Sequence, residues 1–353
     1  MSDWSEPFEA RLRYMDVDPV SWRETGPVAG VLAGGSITHD ADDPIKTSAS
    51  IDVTDAFDPR GLVRIYLDAL FSSGAKESVC LGTFGATVPT WKRSDSGASG
   101  RADLYGCLSL AQDVVPPVSV HVSGGQDPVA AAASCLQAAG LLVQADGGPQ
   151  RLSEARTYGL VPVDGVQEDR LSIATDLCHA AGFKDPVTDP YGRALLHRQL
   201  DDLVRAPDWR WVEGPHCRFL PSMDDTRETP KANCIKVVAS TGKGSVVATA
   251  RCDDPAIFGS TRSLGRELWE VVRPTEEMDQ AKAQETADKT LRERMATTHK
   301  VSLQHIFCPA ALTDVVDLAW PTGGVSGRYL IKRISIDLGA PGLLMDIDLE
   351  EVC

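Results

Sequence analysis

Seven histidines and nine cysteines are the residues of this 353-residue chain best suited to hold a metal or act as a nucleophile. Two groupings invite a metal reading, His216 with Cys217 and His299 with His305 and Cys308. A structural zinc site takes four ligands, usually in closely spaced pairs. No C-x-x-C pair occurs, so no metal and no cofactor is expected, and the scattered thiols read as buried, with Cys353 exposed at the terminus. The run Ser240-Thr241-Gly242-Lys243-Gly244-Ser245 has the composition of a phosphate loop but not its order, because Gly rather than Ser or Thr follows the lysine. A strand pattern follows it, so a hairpin turn is expected. Ser326 in Gly323-Gly324-Val325-Ser326-Gly327 lacks the glycine two positions on that a nucleophile elbow requires; Arg328 stands there. Asp40, Asp42 and Asp43 cluster before Pro44, and Asp346, Asp348 and Glu350 alternate along the last apolar run, with Glu351 beside them. Glycoside chemistry needs two carboxylates converging on a bond from both sides, whereas acids at alternate positions of one strand share a solvated face. No catalytic residue is assigned.

The formal net charge of -15, from 35 Lys+Arg against 50 Asp+Glu, argues against a conventional nucleic-acid-binding surface. It is compatible with a wall past which DNA moves without adhering. With 42% hydrophobic and 24% charged residues the chain is not compositionally disordered, and its length suits two or three domains. No apolar run reaches bilayer length and the start is acidic and polar, so neither a membrane span nor a secretory leader is expected.

The elements that must position these residues are strands at both ends and helices between. Phe8 to Arg13, Val28 to Leu32, Lys46 to Val53, Leu62 to Leu67 and Val79 to Val88 read as short strands punctuated by turns, including a glycine turn at Gly34-Gly35. Together they suggest a small antiparallel barrel. Lys92 to Ser99 reads as a linker and Ala102 to Asp113 as an amphipathic helix carrying Leu104, Cys107, Leu108 and Ala111 on one side. Val129 to Gly140 is a helix with Asp127 as N-cap and Pro128 in its first turn; Leu171 to Ala181 is another, ended by Gly182. Arg193 to Leu203 fits either helix or extended chain. Trp209, Trp211 and Phe219 read as core or interface anchors before a charged loop from Asp224 to Lys231.

A second strand-rich stretch opens at Ala232 with Cys234 to Ser240 and Val246 to Arg251. From Pro274 to Met295 the period is helical, with a thin apolar stripe of Met278, Ala281, Ala287, Leu291 and Met295 that must lie on another element or subunit. Strands resume as Val301 to Phe307, Val315 to Ala319, Tyr329 to Leu338 and Leu343 to Glu350, the last two forming a hairpin through Gly339 to Gly342. The fold class is therefore mainly β with an α+β middle domain.

The order of these segments resembles the central tail-hub, or baseplate-hub, proteins of tailed bacteriophages, of the siphophage type with long non-contractile tails. The resemblance rests on Gly34-Gly35-Ser36-Ile37-Thr38, Arg64-Ile65-Tyr66, Leu81-Gly82-Thr83-Phe84 and Arg101-Ala102-Asp103-Leu104-Tyr105. Farther on it rests on Ala232-Asn233 within Pro230 to Val238, Asp254-Pro255, Ser263-Leu264-Gly265-Arg266, and the late helix before His305-Ile306-Phe307. The family-matching structural positions are thus Gly35, Ser36, Ile37, Arg64, Gly82, Thr83, Phe84, Leu104, Tyr105, Asn233, Pro255, Gly265 and Arg266.

The resemblance implies two antiparallel β-barrels like those of the tail-tube protein. They would be residues 1–95, and residues 229–268 with 298–353, with a mixed middle domain at 96–228 and a helical insertion at 269–297. It implies a homotrimer, whose two barrels per chain offer six similar faces joining a six-fold tail tube or distal tail rings to a three-fold tip. Expected partners are those rings, the end of the tape-measure protein, and tip, spike or fibre proteins, with DNA passing without sequence-specific binding and no stable membrane insertion. The expected location is the distal end of the virion tail, assembled in the host cytoplasm. Two other readings are the hub of a contractile tail or injection particle and an acidic wall- or carbohydrate-degrading enzyme; an enzyme would set two carboxylates in a cleft.

Overall fold

A computed structural model describes residues 4, 6–95, 97–147, 150–159, 168–198, 205–215, 217–241, 244–274, 277–296, 299–340 and 343–352. The chain falls into two compact units: Met1–Asp201 with His305–Leu312 and Arg333–Asp346, and Asp202–Gln304 with Thr313–Lys332 and Ile347–Cys353. Among the described residues no helix is long and apolar enough to cross a membrane.

The chain begins with eight strands: β1 (Phe8–Val17), β2 (Glu24–Pro27), β3 (Val31–Asp40), β4 (Thr47–Thr54), β5 (Leu62–Phe71), β6 (Lys76–Ala86), β7 (Thr90–Ser94) and β8 (Gly97–Gly106). Next come α1 (Ser109–Gln112), β9 (Val120–Val122), α2 (Pro128–Gln137), β10 (Val143–Ala145), β11 (Arg156–Tyr158), α3 (Arg170–Ala180), β12 (Val187–Thr188) and β13 (Ala194–Leu196). The remainder is β14 (Trp209–Val212), β15 (Phe219–Arg227), β16 (Cys234–Thr241), β17 (Gly244–Arg251), α4 (Thr261–Leu264), β18 (Trp269–Val272) and α5 (Gln280–Ala296). Four strands close the chain: β19 (His299–Ile306), β20 (Val315–Trp320), β21 (Val325–Asp337) and β22 (Leu344–Glu351).

In the first unit the ladder runs from the end of β21 through β3, β4, β8, β6, β5 and β1 to β2. Strand β4 sets the pattern: Thr47, Ala49, Ile51 and Val53 are buried while the residues between them are half-exposed. Strand β5 is buried at nearly every position because both its faces are covered. At the margin Trp4 stands edge-on to Phe8, Phe71 and Phe307, with ring centroids 5.4, 5.1 and 5.3 Å away.

The middle helices belong to this same unit. Asp127 accepts from the Val129 N–H at 2.9 Å with Pro128 in the first turn, as expected, and Asp169 caps α3 through the Ser172 N–H at 2.7 Å. Leu136, Leu177 and Cys178 share a core with Val17, Ile45 and Leu62 of the strand region.

The second unit holds two sheets. Strand β14 runs parallel to β20, which pairs β21; β22, β19 and β15 follow in order. Strands β17, β16 and β18 form a sheet apart, and α5 lies on one face of it.

The differences from the sequence reading have identifiable causes. Residues 102–106 are strand, not helix, because Ala102, Leu104 and Gly106 are buried while Arg101, Asp103 and Tyr105 are exposed, a period of two; helical spacing begins only at Cys107. The expected linker at Lys92 is a hairpin in which Arg93 pairs Ala98. Gly34 and Gly35 lie inside β3 at a register shift rather than in a turn, and the expected strand over Val28 to Leu32 is broken between β2 and β3. Asp224 to Arg227 belong to β15, and Ala194 to Leu196 are extended, parallel to β10. Among the described residues, β16 and β17 pair with each other and with Trp269–Val272, which the sequence reading places in the helical insertion, rather than with the C-terminal strands. Helix α5 starts at Gln280, not near Pro274, because Asp279 accepts from the Lys282 N–H at 2.8 Å and caps it there. Its buried stripe uses Ala283 in place of Ala281, with Ala287 and Met295. His216, Gly242, Lys243, Cys353 and parts of the 193–203 and 339–342 segments lie outside the described residues.

Candidate functional site

The candidate site of the first unit is a sheet face rather than a cleft. Alternation sends Ile37, Ala49, Leu104 and Ile336 inward and leaves their neighbours outward in two cross-strand rows. One row is Asp337, Ser36, Ser50 and Asp103; the next is Ser335, Thr38, Ser48 and Tyr105. Arg101 donates from Nε to Ser50 Oγ at 3.0 Å and stands opposite Asp52. Small hydroxyls leave the surface flat, with a depression of about 200 Å³ between Ser36, Ser50 and Tyr105. Gly35 makes the bend beside this face possible. It has φ +109°, and a Cβ there would lie 2.1 Å from the Ser50 carbonyl oxygen.

Two buried clasps hold the surrounding backbone. In the first unit Arg64 and Thr83 are cross-strand partners on β5 and β6, and both are buried. Arg64 donates from Nε to Thr83 Oγ1 at 2.9 Å, from Nη1 to Glu24 at 3.2 Å and from Nη2 to the Tyr191 carbonyl at 3.1 Å. Thr83 donates in turn to the Pro190 carbonyl at 2.9 Å, and Tyr66 donates to Glu24 at 2.6 Å. A guanidinium with three acceptors in fixed directions thus anchors the Pro190-Tyr191 loop. Phe84 is buried with its ring lying over Gly82, where a Cβ would come within 2.5 Å of it. Burial pushes the thiols of Cys80 and Cys107 up to about 12, so neither is a thiolate nucleophile near neutrality.

The second clasp lies in the second unit. Asn233 is fully buried; its Nδ2 donates to the carbonyls of Gly259 at 3.0 Å and Arg266 at 3.1 Å, and its Oδ1 accepts from the Leu268 N–H at 2.7 Å. These three bonds fasten the 252–268 return. Gly265, at φ 63°, terminates α4 one residue before the Arg266 carbonyl that Asn233 holds. Pro255 is exposed in the preceding turn and takes no part in the clasp.

The thirteen sequence-selected positions therefore divide by unit. Gly35, Ser36, Ile37, Leu104 and Tyr105 meet on β3 and β8 through β4, Arg64 and Thr83 meet in the first clasp with Gly82 and Phe84 alongside, and Asn233, Gly265 and Arg266 meet in the second. Glu24, Pro190 and Tyr191 escaped sequence reasoning because two of them act through backbone carbonyls, which any residue supplies. Lys46 was missed as well. It is buried, and its Nζ donates to the Ala41 carbonyl at 2.6 Å and to Asp185 at 2.8 Å; being in phase with Ser48, Ser50 and Asp52, the polar half of the alternation, it carries no sequence signal of burial.

The residues that invited chemistry have other partners. Among the described residues no group of three or more His, Cys, Asp or Glu side chains is placed to hold a metal. Buried His299 faces Asp225 through Nε2 at 2.7 Å and Glu351 through Nδ1 at 2.9 Å. Asp40 and Asp43 accept from backbone N–H groups of their own turn. Asp348 accepts from Ser302 at 2.6 Å, and Glu350 pairs with Lys332 at 3.1 Å.

No family model matches the sequence, and no curated protein sequence matches it significantly. Solved structures do match, over nearly the whole chain. The tail protein from Neisseria meningitidis MC58 aligns with a TM-score of 0.67 at 13% identity, covering 98% of this chain and 96% of that one. The 43 kDa tail protein of prophage MuSo2 from Shewanella oneidensis aligns with a TM-score of 0.66 at 10% identity, covering 98% of both chains. The E. coli c3393 protein is a type VI secretion component with structural similarity to the T4 bacteriophage tail proteins gp27 and gp5. It aligns with a TM-score of 0.50 at 10% identity, covering 96% of this chain and 76% of that one. The fold is that of these phage tail proteins, mainly β with few helices.

Proposed function

We propose that this chain is a non-enzymatic structural component of a virion tail, a hub whose three copies join six-fold tail-tube or distal-tail rings to a three-fold tip. The observation that carries the reading is the match to two phage tail proteins over 98% of this chain and 96% and 98% of theirs. Two tube-like barrels per copy, as the resemblance implies, would give a closed cyclic trimer six similar faces and a central passage. The hydroxyl and carboxylate rows on β21, β3, β4 and β8 suit the wall of that passage, because phosphates meet acids and small dipoles rather than a basic surface. Tip, spike or fibre proteins and the end of the tape measure are the partners this role requires. A second reading, the hub of a contractile tail or injection particle, is favoured by the likeness to the type VI secretion component. Native mass spectrometry of the purified chain is the test: a species of three chain masses is expected, and a monomer at all concentrations would overturn the proposal.

A further inference from the structure

Helix α5 does more than cover a sheet. Ala283 and Ala287 are buried against Ile235, Val237, Ala248 and Ala250, with Met278 and Leu291 at the flanks. That packing does not involve Gln280 or Gln284. Yet Gln280 Nε2 donates to the Val247 carbonyl at 3.1 Å, and Gln284 Nε2 donates to the Thr249 carbonyl at 3.0 Å. One helical turn rises about 5–6 Å and two strand residues span about 6.5–7 Å, so residues four apart on the helix match residues two apart on the strand. Strand β17 pairs only with β16, leaving its other edge without a strand partner among the described residues.

An open strand edge is a template for another chain. The segment from Ser245 to Ala250 carries no charge and no proline, and it includes Val246, Val247 and Thr249, with Val247 exposed. That is the composition of a self-pairing strand. A two-fold axis at Ala248 would set Val247 against Thr249 and Ser245 against Arg251, carrying the two arginines to opposite ends.

We infer that α5 guards a latent strand-pairing edge, and that the partner it excludes is the same edge, β17, of a second copy of this chain. The glutamines occupy two acceptors at alternate residues that incoming N–H groups would need, and their side chains fill the approach. This inference is independent of the tail reading.

The test is the double variant Gln280→Ala, Gln284→Ala, which frees both carbonyls while keeping helix propensity and the buried alanine stripe. Sedimentation velocity is run across a wide concentration range, with circular dichroism confirming the fold. The variant should self-associate at least about tenfold more strongly than the wild-type protein, as expected when two carbonyls on each copy, four per dimer, are no longer blocked. Hydrogen exchange of the associated species should protect the Val247 and Thr249 amides, and adding Val247→Lys should abolish the gain. A folded double variant that associates no more than wild type overturns the inference; so does a gain that Val247→Lys leaves intact, or one that protects a different segment. If the double variant does not fold, Gln284→Ala alone carries the same test with a smaller expected gain.

Discussion

Replacing Asn233 by Asp changes one atom of a buried clasp and leaves its shape. The variant keeps the oxygen that accepts from the Leu268 N–H, but it loses both donors to the Gly259 and Arg266 carbonyls and turns an oxygen toward them. Two buried carbonyls left without donors cost about 1–3 kcal/mol each, so the second unit should lose about 3–5 kcal/mol at neutral pH. Burial among carbonyls raises the new carboxyl's folded pKa above its unfolded value of about 4. The deficit is therefore smallest below that unfolded value and grows as pH rises through the folded one. Asn233→Leu, which cannot titrate, should show no such recovery in acid. Hydrogen exchange reads this locally, because the Cys252 N–H bonds the Asn233 carbonyl and the Leu268 N–H bonds its side chain. Exchange at both should accelerate about a hundredfold or more at neutral pH. Unchanged protection with stability within about 0.5 kcal/mol of wild type, the spread of an ordinary surface substitution, would refute the reasoning. So would a deficit that deepens on acidification.

Gly35→Ala should lower stability by about 3 kcal/mol or more in urea unfolding, since the φ of +109° is strained for alanine and its Cβ would sit 2.1 Å from the Ser50 oxygen. Arg64→Met should increase proteolytic cleavage near Tyr191 and cost about 2–4 kcal/mol, because Glu24 and a loop carbonyl lose their guanidinium. His179 and Lys46 hold the Asp185 carboxyl well below the usual range, so its contribution is present above about pH 4 and disappears as pH falls; Asp185→Asn should flatten that part of an acid titration of stability. Burial lowers His39 to about 4, so stability should decline as pH falls from about 6.5 toward that value, and His39→Gln should remove the decline.

Strand positions were legible where alternation is strict, as in β4 and β22, and a helix start where Asp precedes Pro, as at Asp127, whereas the Asp169 cap of α3 was not read. Residues 102–106 read as helix because Leu104 and Leu108 satisfy helical spacing while Ala102 and Leu104 satisfy strand spacing, and only the pairing of β8 with β4 decides between them. The sheet partners of β16 and β17 were not legible for a related reason. Any apolar strand face can be closed by a sheet or by a helix, and here Ala283 and Ala287 close it. Arg64, Thr83 and Asn233 were legible as positions, but their partners were not, since most are carbonyl oxygens brought in from distant loops.

A three-dimensional density map of the assembled particle, reconstructed without imposed symmetry at the tail end, tests the central claim most directly. Three copies of this chain should surround the tail axis next to six-fold rings, each contributing both strand-rich units to one platform around an open or plugged passage. A particle in which the chain lies off the axis, or in which a copy number other than three occupies it, would contradict the account.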